Sequence, residues 1–211
     1  MYIPSAFNIT DSKKIDSFIS QNSFATVITD ANDAPFANHL PLLLDTASRR
    51  LLGHMAIGNP QWKHFENGRE VLSIFHGPHA YISPRWYGTK LAVPTWNYAA
   101  VHVYGEPRIV FDPVDLIEII RQTVQFYEGD EPGAWRGDLP AEFQERLLKG
   151  IVGFEISIKR TEAKYKLGQN RDKSDVASVH AALSQSPQAS DRSLADFMKG
   201  EGLIERGSSD T

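Results

Sequence analysis

The chain has 211 residues, 41% of them hydrophobic, and a formal net charge of −4. That is enough apolar material for one large domain, or a domain with an appendage, around a sizeable core. The negative balance excludes a generally basic nucleic-acid binder, and the absence of cysteine excludes disulfides, thiolate nucleophiles, Fe–S clusters and Cys-ligated zinc.

The first element is a helix capped by either Asp11 or Ser12, with Ile15, Phe18 and Ile19 on one stripe. Residues 24–29 are rich in β-branched side chains and read as a strand. Asp30-Ala31-Asn32-Asp33 turns the chain. Residues 35–44 return as a strand in which Pro41 marks an edge or a bulge. After a turn at Ser48-Arg49-Arg50, residues 51–55 continue the sheet. Asn59-Pro60 opens a short helix, with Asn as cap and Pro in the first helical position. Gly68 ends that helix.

Two further short strands are expected at 70–75 and 79–82, separated by a turn at Gly77-Pro78. Residues 83–94 hold too many turn formers to be regular. A long β segment covers 96–111, with bends at Gly105 and Pro107. Helices follow at 113–127 and 140–149, around a Gly/Pro/Asp-rich loop at 129–139. A strand at 151–158, extensible to Tyr165, comes next. Helical signals return at 174–183 and 192–198, with a linker-like stretch at 185–190 and a disordered tail from about Glu205.

Five or six short strands joined by hairpin turns around one helix predict a mainly β fold with flanking helices, built as a small antiparallel barrel. Strands do not alternate regularly with helices, which argues against a doubly wound sheet. Residues Met1 to Phe7 lack a basic segment followed by a long apolar run, so no secretory signal is expected. No apolar run reaches membrane-spanning length. A cytoplasmic protein is the expectation.

The densest chemistry lies at 76–98. His76 and His79 flank Gly77-Pro78, which rules out the helical spacing of a His-Glu-x-x-His zinc site, and no third ligand is evident. No metal site is expected. Tyr81, Trp86, Tyr87, Trp96 and Tyr98 crowd this stretch, and amphipathic aromatics concentrate at ligand pockets and subunit interfaces. From Pro94 on, Thr95 and Asn97 share one strand face and Trp96 and Tyr98 the other. The donor and acceptor of Asn97 suit the edge of a heterocycle as well as a structural turn.

The Asn59-Pro60 helix start presents free N–H groups that suit a phosphate, though from this feature alone an ordinary capped surface helix is the default reading. A basic stretch holds Lys159, Arg160, Lys164, Lys166, Arg171 and Lys173, diluted by Glu162, Asp172 and Asp175. A solvated face is its default reading, and a phosphate or nucleic-acid contact the sharper one. There is no nucleophile elbow, Walker loop or dinucleotide fingerprint. No catalytic residue can be assigned from the sequence.

Taken together, the motifs resemble one family. They are Tyr2-Ile3-Pro4 with Phe7, Asn38-His39-Leu40-Pro41, Gly53-His54-Met55-Ala56 and Asn59-Pro60-Gln61-Trp62. Pro78-His79-Ala80-Tyr81-Ile82-Ser83-Pro84 with Trp86-Tyr87, Val93-Pro94-Thr95-Trp96-Asn97-Tyr98 and Lys166-Leu167-Gly168-Gln169-Asn170-Arg171 complete the set. In order and spacing they resemble the PaiB-type, FMN-binding negative transcriptional regulators, over roughly 1–198. The resemblance implies an FMN-binding split β-barrel like that of pyridoxamine-phosphate oxidase, with a flavin-binding domain at 1–170 and a helical appendage at 171–204. The tail is 205–211.

It also implies a homodimer with FMN at the subunit interface, and DNA as a further partner. The cofactor contacts it implies are Asn38, His39 and Leu40, then His54, Met55 and Ala56, then Asn59, Gln61 and Trp62. Trp96 and Asn97 form the pocket wall. Oxidase relatives place Lys or Arg among the phosphate contacts, where this chain has Asn59 and Gln61 with Lys63 nearby. Three readings follow: a flavin-linked regulator or sensor, a flavin-dependent oxidoreductase with His39, His54 or His79 moving protons, with a haem-binding split barrel as its variant, and a DNA-binding repressor.

Overall fold

The computed structural model describes residues 1–31, 34–89 and 91–204. The tail at 205–211 lies outside the described residues, as do Asn32, Asp33 and Lys90. Among the described residues the elements run β1 (Asn8–Ile9), α1 (Ser12–Gln21), β2 (Phe24–Ala31), β3 (Ala34–Pro41), β4 (Leu43–Asp45), β5 (Arg50–Ala56) and α2 (Gln61–His64). They continue with β6 (Val71–Ile82), β7 (Thr95–Val110), α3 (Pro113–Glu128), α4 (Ala141–Leu148), β8 (Ile151–Lys166), α5 (Lys173–Ser184) and α6 (Ala189–Gly200).

The sheet path is β3-β2-β6-β7-β8-β5-β4, with β1 added to β8. Hairpin registers pair Ala31 with Ala34 and Asp45 with Arg50, both antiparallel. The path ends, β3 and β4, are neighbours in sequence with only Leu42 between them. Leu42 is buried, and its N–H donates to the Ser23 carbonyl at 2.8 Å. Pro41 therefore ends a strand on a path-terminal position, where its missing N–H costs least. The expected single strand at 35–44 is thus two strands that take different partners.

The expected pair of short strands at 70–75 and 79–82 is one strand, β6. Gly77-Pro78 does not turn the chain. Proline's fixed φ is compatible with an extended path, and its cost is one ladder hydrogen bond. The pair instead shifts the alternation. Val71, Ser73 and Phe75 are buried before it, Ala80 and Ile82 after it, so the buried set changes from odd to even positions. Strand β8 behaves alike: Val152, Phe154 and Ile156 are buried, then Ala163 and Tyr165. Such a change of phase needs one residue out of register, as a bulge provides.

The chain divides into two compact units. One contains Ser12–Phe75 and His102–Thr161. Its core includes Ile19, Leu42, Leu51, Phe75, Phe154 and Ile156, and Phe65 meets Phe154 edge to face at 5.3 Å. Asp112 caps α3 by accepting from the N–H groups of Val114 and Asp115. Gly105 sits within β7 without breaking it. A Cβ there would lie 2.4 Å from the Ser157 carbonyl oxygen, so the strands approach too closely for any larger residue.

The other unit contains Met1–Asp11, His76–Val101 and the described residues from Glu162 on. In it α5 and α6 bury Leu183, Leu194 and Met198, and Tyr165 packs edge to face on Phe197 at 5.1 Å. The linker-like residues are partly absorbed by α6, which begins at Ala189. No helix among the described residues is long and apolar enough to cross a membrane.

Candidate functional site

In the first of these units three predicted residues meet. Asn38 Nδ2 donates to Asn59 Oδ1 at 3.2 Å and to Gln61 Oε1 at 3.0 Å. Asn59 Oδ1 also accepts from the Gln61 N–H at 3.0 Å, so Asn59 caps α2 as expected. The helix itself is one turn, Gln61–His64, continued by a 3-10 turn at Phe65–Asn67 and closed by Gly68 at φ 68°. Gln61 is fully buried. Its Nε2 donates to the Val27 carbonyl at 2.8 Å and to the Phe36 carbonyl at 3.3 Å. That amide is spent on holding β2, β3 and α2 together.

Strand β3 is the path end, so its outer edge has no ladder partner among the described residues. Exposed His39 sits on it, with Nδ1 3.1 Å from Thr26 Oγ1, next to half-buried Asn38 and Leu40. At the end of β5, Met55 is buried, Ala56 exposed and His54 half-buried. Burial lowers the His54 pKa below its usual value, which keeps the ring neutral near pH 7. Trp62 Nε1 donates to the Ile57 carbonyl at 2.9 Å, and its ring meets Phe111 edge to face at 5.6 Å. The Lys63 ammonium lies over the Trp62 ring at 5.6 Å.

The second unit holds the aromatic residues. Trp96 is 53% exposed and faces His79 and Tyr81 at centroid distances of 6.0 and 6.3 Å. Asn97 points the other way and is buried, beside Gly168. A cavity of about 330 Å³ opens at the aromatic face. His79, Tyr81, Trp86 and Trp96 line it on one side, and Ser186, Gln188 and Asp191 on the other. Sequence reasoning missed these last three, because their stretch has only the composition of a linker. No group of three or more His, Asp or Glu among the described residues could hold a metal ion.

Residues 1–160 match the family described as "Putative FMN-binding domain". The chain belongs to this family. It is also 40% identical to the "Protease synthase and sporulation protein PAI 2" of Bacillus subtilis (strain 168), over 94% of this chain and 97% of that protein. It is therefore a PaiB-type member. The fold resembles that of the flavocytochrome Anf3 from Azotobacter vinelandii, with a TM-score of 0.64 and 17% identity, over 81% of this chain and 75% of that one. A FAD and heme binding protein from Mycobacterium smegmatis gives a TM-score of 0.57 at 13% identity, over 81% and 78%. The mainly antiparallel sheet with flanking helices is the split β-barrel of flavin-binding proteins.

Proposed function

We propose that this protein binds FMN and acts as a cytoplasmic homodimer in PaiB-type transcriptional regulation or flavin-linked sensing. The observation that carries the reading is the extent of the family match. It runs from Met1 to Arg160 and so takes in the whole Asn38–Asn59–Gln61 network. PAI 2, matched over nearly its full length, is called a protease synthase and sporulation protein, and neither term names a redox reaction. That favours a regulator over an oxidoreductase.

The chemistry of the donor set fits a flavin in part. On the free edge of β3 the backbone donor and acceptor of His39 are open, of the kind that read a heterocycle or a ribityl chain, while the backbones of Asn38 and Leu40 face Val27 and Ala25 of β2. His54 and Ala56 at the end of β5, Asn59 and Trp62 add polar and aromatic groups. Buried Met55 and Gln61 contribute by positioning their neighbours. A bound flavin would supply the redox chemistry, while these residues bind and orient it.

Titrating FMN with micromolar protein is expected to quench flavin fluorescence, and unquenched flavin would remove the reading. Regulation predicts a mobility shift on the protein's own promoter region that weakens with added salt. Absence of that shift, together with anaerobic bleaching of the bound flavin by NADH, would replace the regulator with an oxidoreductase.

A further inference from the structure

Three cations in the unit that contains Trp96 have no carboxylate partner among the described residues. Lys164 is only 7% exposed, and among the described residues its ammonium donates to the Tyr2 carbonyl at 3.1 Å. It otherwise rests on ring faces, 5.6 Å from Tyr2 and 5.2 Å from Tyr98. Lys166, two residues on and hence on the same strand face, donates to the Trp96 carbonyl at 2.7 Å and to Thr95 Oγ1. The Arg171 guanidinium lies over the Tyr87 ring at 4.5 Å. Two nearby acids are committed elsewhere: Glu162 to the Met1 ammonium, and Asp175 to the Gly88 N–H at 2.8 Å.

The turn that carries Arg171 is fixed. Gly168 takes φ 92°, which a residue with a Cβ rarely adopts. The Gln169 amide spans the turn, donating to the Tyr165 carbonyl at 2.6 Å and accepting from the Leu167 N–H at 2.8 Å. The Arg171 N–H closes on the Gly168 carbonyl at 2.9 Å. A solvated basic face has no need of such a turn. This one holds an arginine fork and a lysine in fixed positions within a cationic field. Burial, Lys164 and Arg171 together lower the Lys166 pKa, the expected mark of like charges lacking a counter-ion.

We propose that Lys166 and Arg171 bind a phosphate group, with Lys164 as a buried charge that strengthens the site. A phosphate dianion matches the local charge. Arg supplies planar paired donors, and Lys a point charge. The group is either the phosphate of a flavin mononucleotide or that of a separate phosphate-bearing ligand. The site stands on its own geometry, whatever the outcome for flavin.

The experiment compares thermal unfolding of the full chain in inorganic phosphate and in chloride at matched ionic strength. The expected result is a Tm higher in phosphate by roughly 3 °C. The rise is retained in Lys166→Arg and lost in Lys166→Met and in Arg171→Gln. The Arg171 variant lies in a surface turn, so it reads the site even if the Lys166→Met variant folds poorly. In parallel, FMN and riboflavin are titrated into wild type and Arg171→Gln. An FMN affinity at least tenfold weaker, with riboflavin unchanged, assigns the site to the flavin phosphate. Unchanged FMN and a lost phosphate effect assign it to a separate ligand. A phosphate effect equal in all variants, with both flavin affinities unchanged, overturns the proposal.

Discussion

The Asn38 side-chain amide donates to Gln61 Oε1 at 3.0 Å and so ties the outer strand β3 to the first residue of α2. The two ends of this bond differ in burial. Gln61→Ala would take one donor from each of the Val27 and Phe36 carbonyls, leave the Asn38 amide with Asn59 as its acceptor, and open a void in the interior. We expect a loss of about 2–4 kcal/mol, read as a lower urea midpoint at unchanged slope. Asn38→Ala removes a half-exposed partner and should cost about 1 kcal/mol. The double variant should lose less than the sum, since the residues share a bond.

The same residue separates structure from binding. If β3 reads the flavin, Asn38→Ala lowers FMN affinity roughly tenfold, the worth of one good hydrogen bond. Fluorescence titration at a temperature where the variant is fully folded measures it. An unchanged affinity would confine Asn38 to holding α2 in place.

Two glycines make a paired test of close packing. A Cβ on Gly53 would lie 2.6 Å from the Phe154 ring and 2.8 Å from Leu42 Cδ2, both side-chain atoms. A Cβ on Gly105 would lie 2.4 Å from the Ser157 carbonyl oxygen and 3.0 Å from its carbonyl carbon, which are backbone. Side chains can repack at a cost of about 1–3 kcal/mol, but a paired strand cannot move alone. Gly105→Ala should therefore be the more damaging of the two. Equal urea midpoints would contradict this.

The sequence exposes these features unevenly. Period and caps located α1, α3 and the hairpin of β2 with β3, because each is specified by neighbouring residues. The Asn59 cap was legible for the same reason. The continuity of β6 was not, since Gly77-Pro78 is a turn signal unless both flanks are held by partner strands, and those partners are distant in sequence. Pairing of β2 with β6 and of β5 with β8 is likewise non-local. The commitment of Gln61 to the Val27 carbonyl depends on that pairing. The role of residues 186–191 in a cavity depends on how α5 and α6 pack, which leaves no mark in their composition.

Leu42 gives a test of how the sheet path is joined. It is the only residue between the two terminal strands and is almost fully buried. Leu42→Ala should cost about 2–5 kcal/mol through the transfer and cavity terms. Phe24 neighbours the same corner but is 67% exposed, so Phe24→Ala should change stability far less. Comparable losses from the two would show that the corner is not organised around Leu42.

His54 predicts the pH dependence. Burial lowers its pKa in the folded state, while the unfolded chain keeps the ordinary value of about 6.5. Below that value the unfolded chain binds a proton that the folded protein resists, so the unfolded state gains. Stability from this group is therefore full above about pH 6.5 and declines as pH falls toward the lowered folded value. Tm measured from pH 8 to pH 5 should fall on the acidic side in wild type. His54→Gln, which has no titrating ring, should flatten that part of the profile. A variant that keeps the full acidic decline would place its origin in other groups.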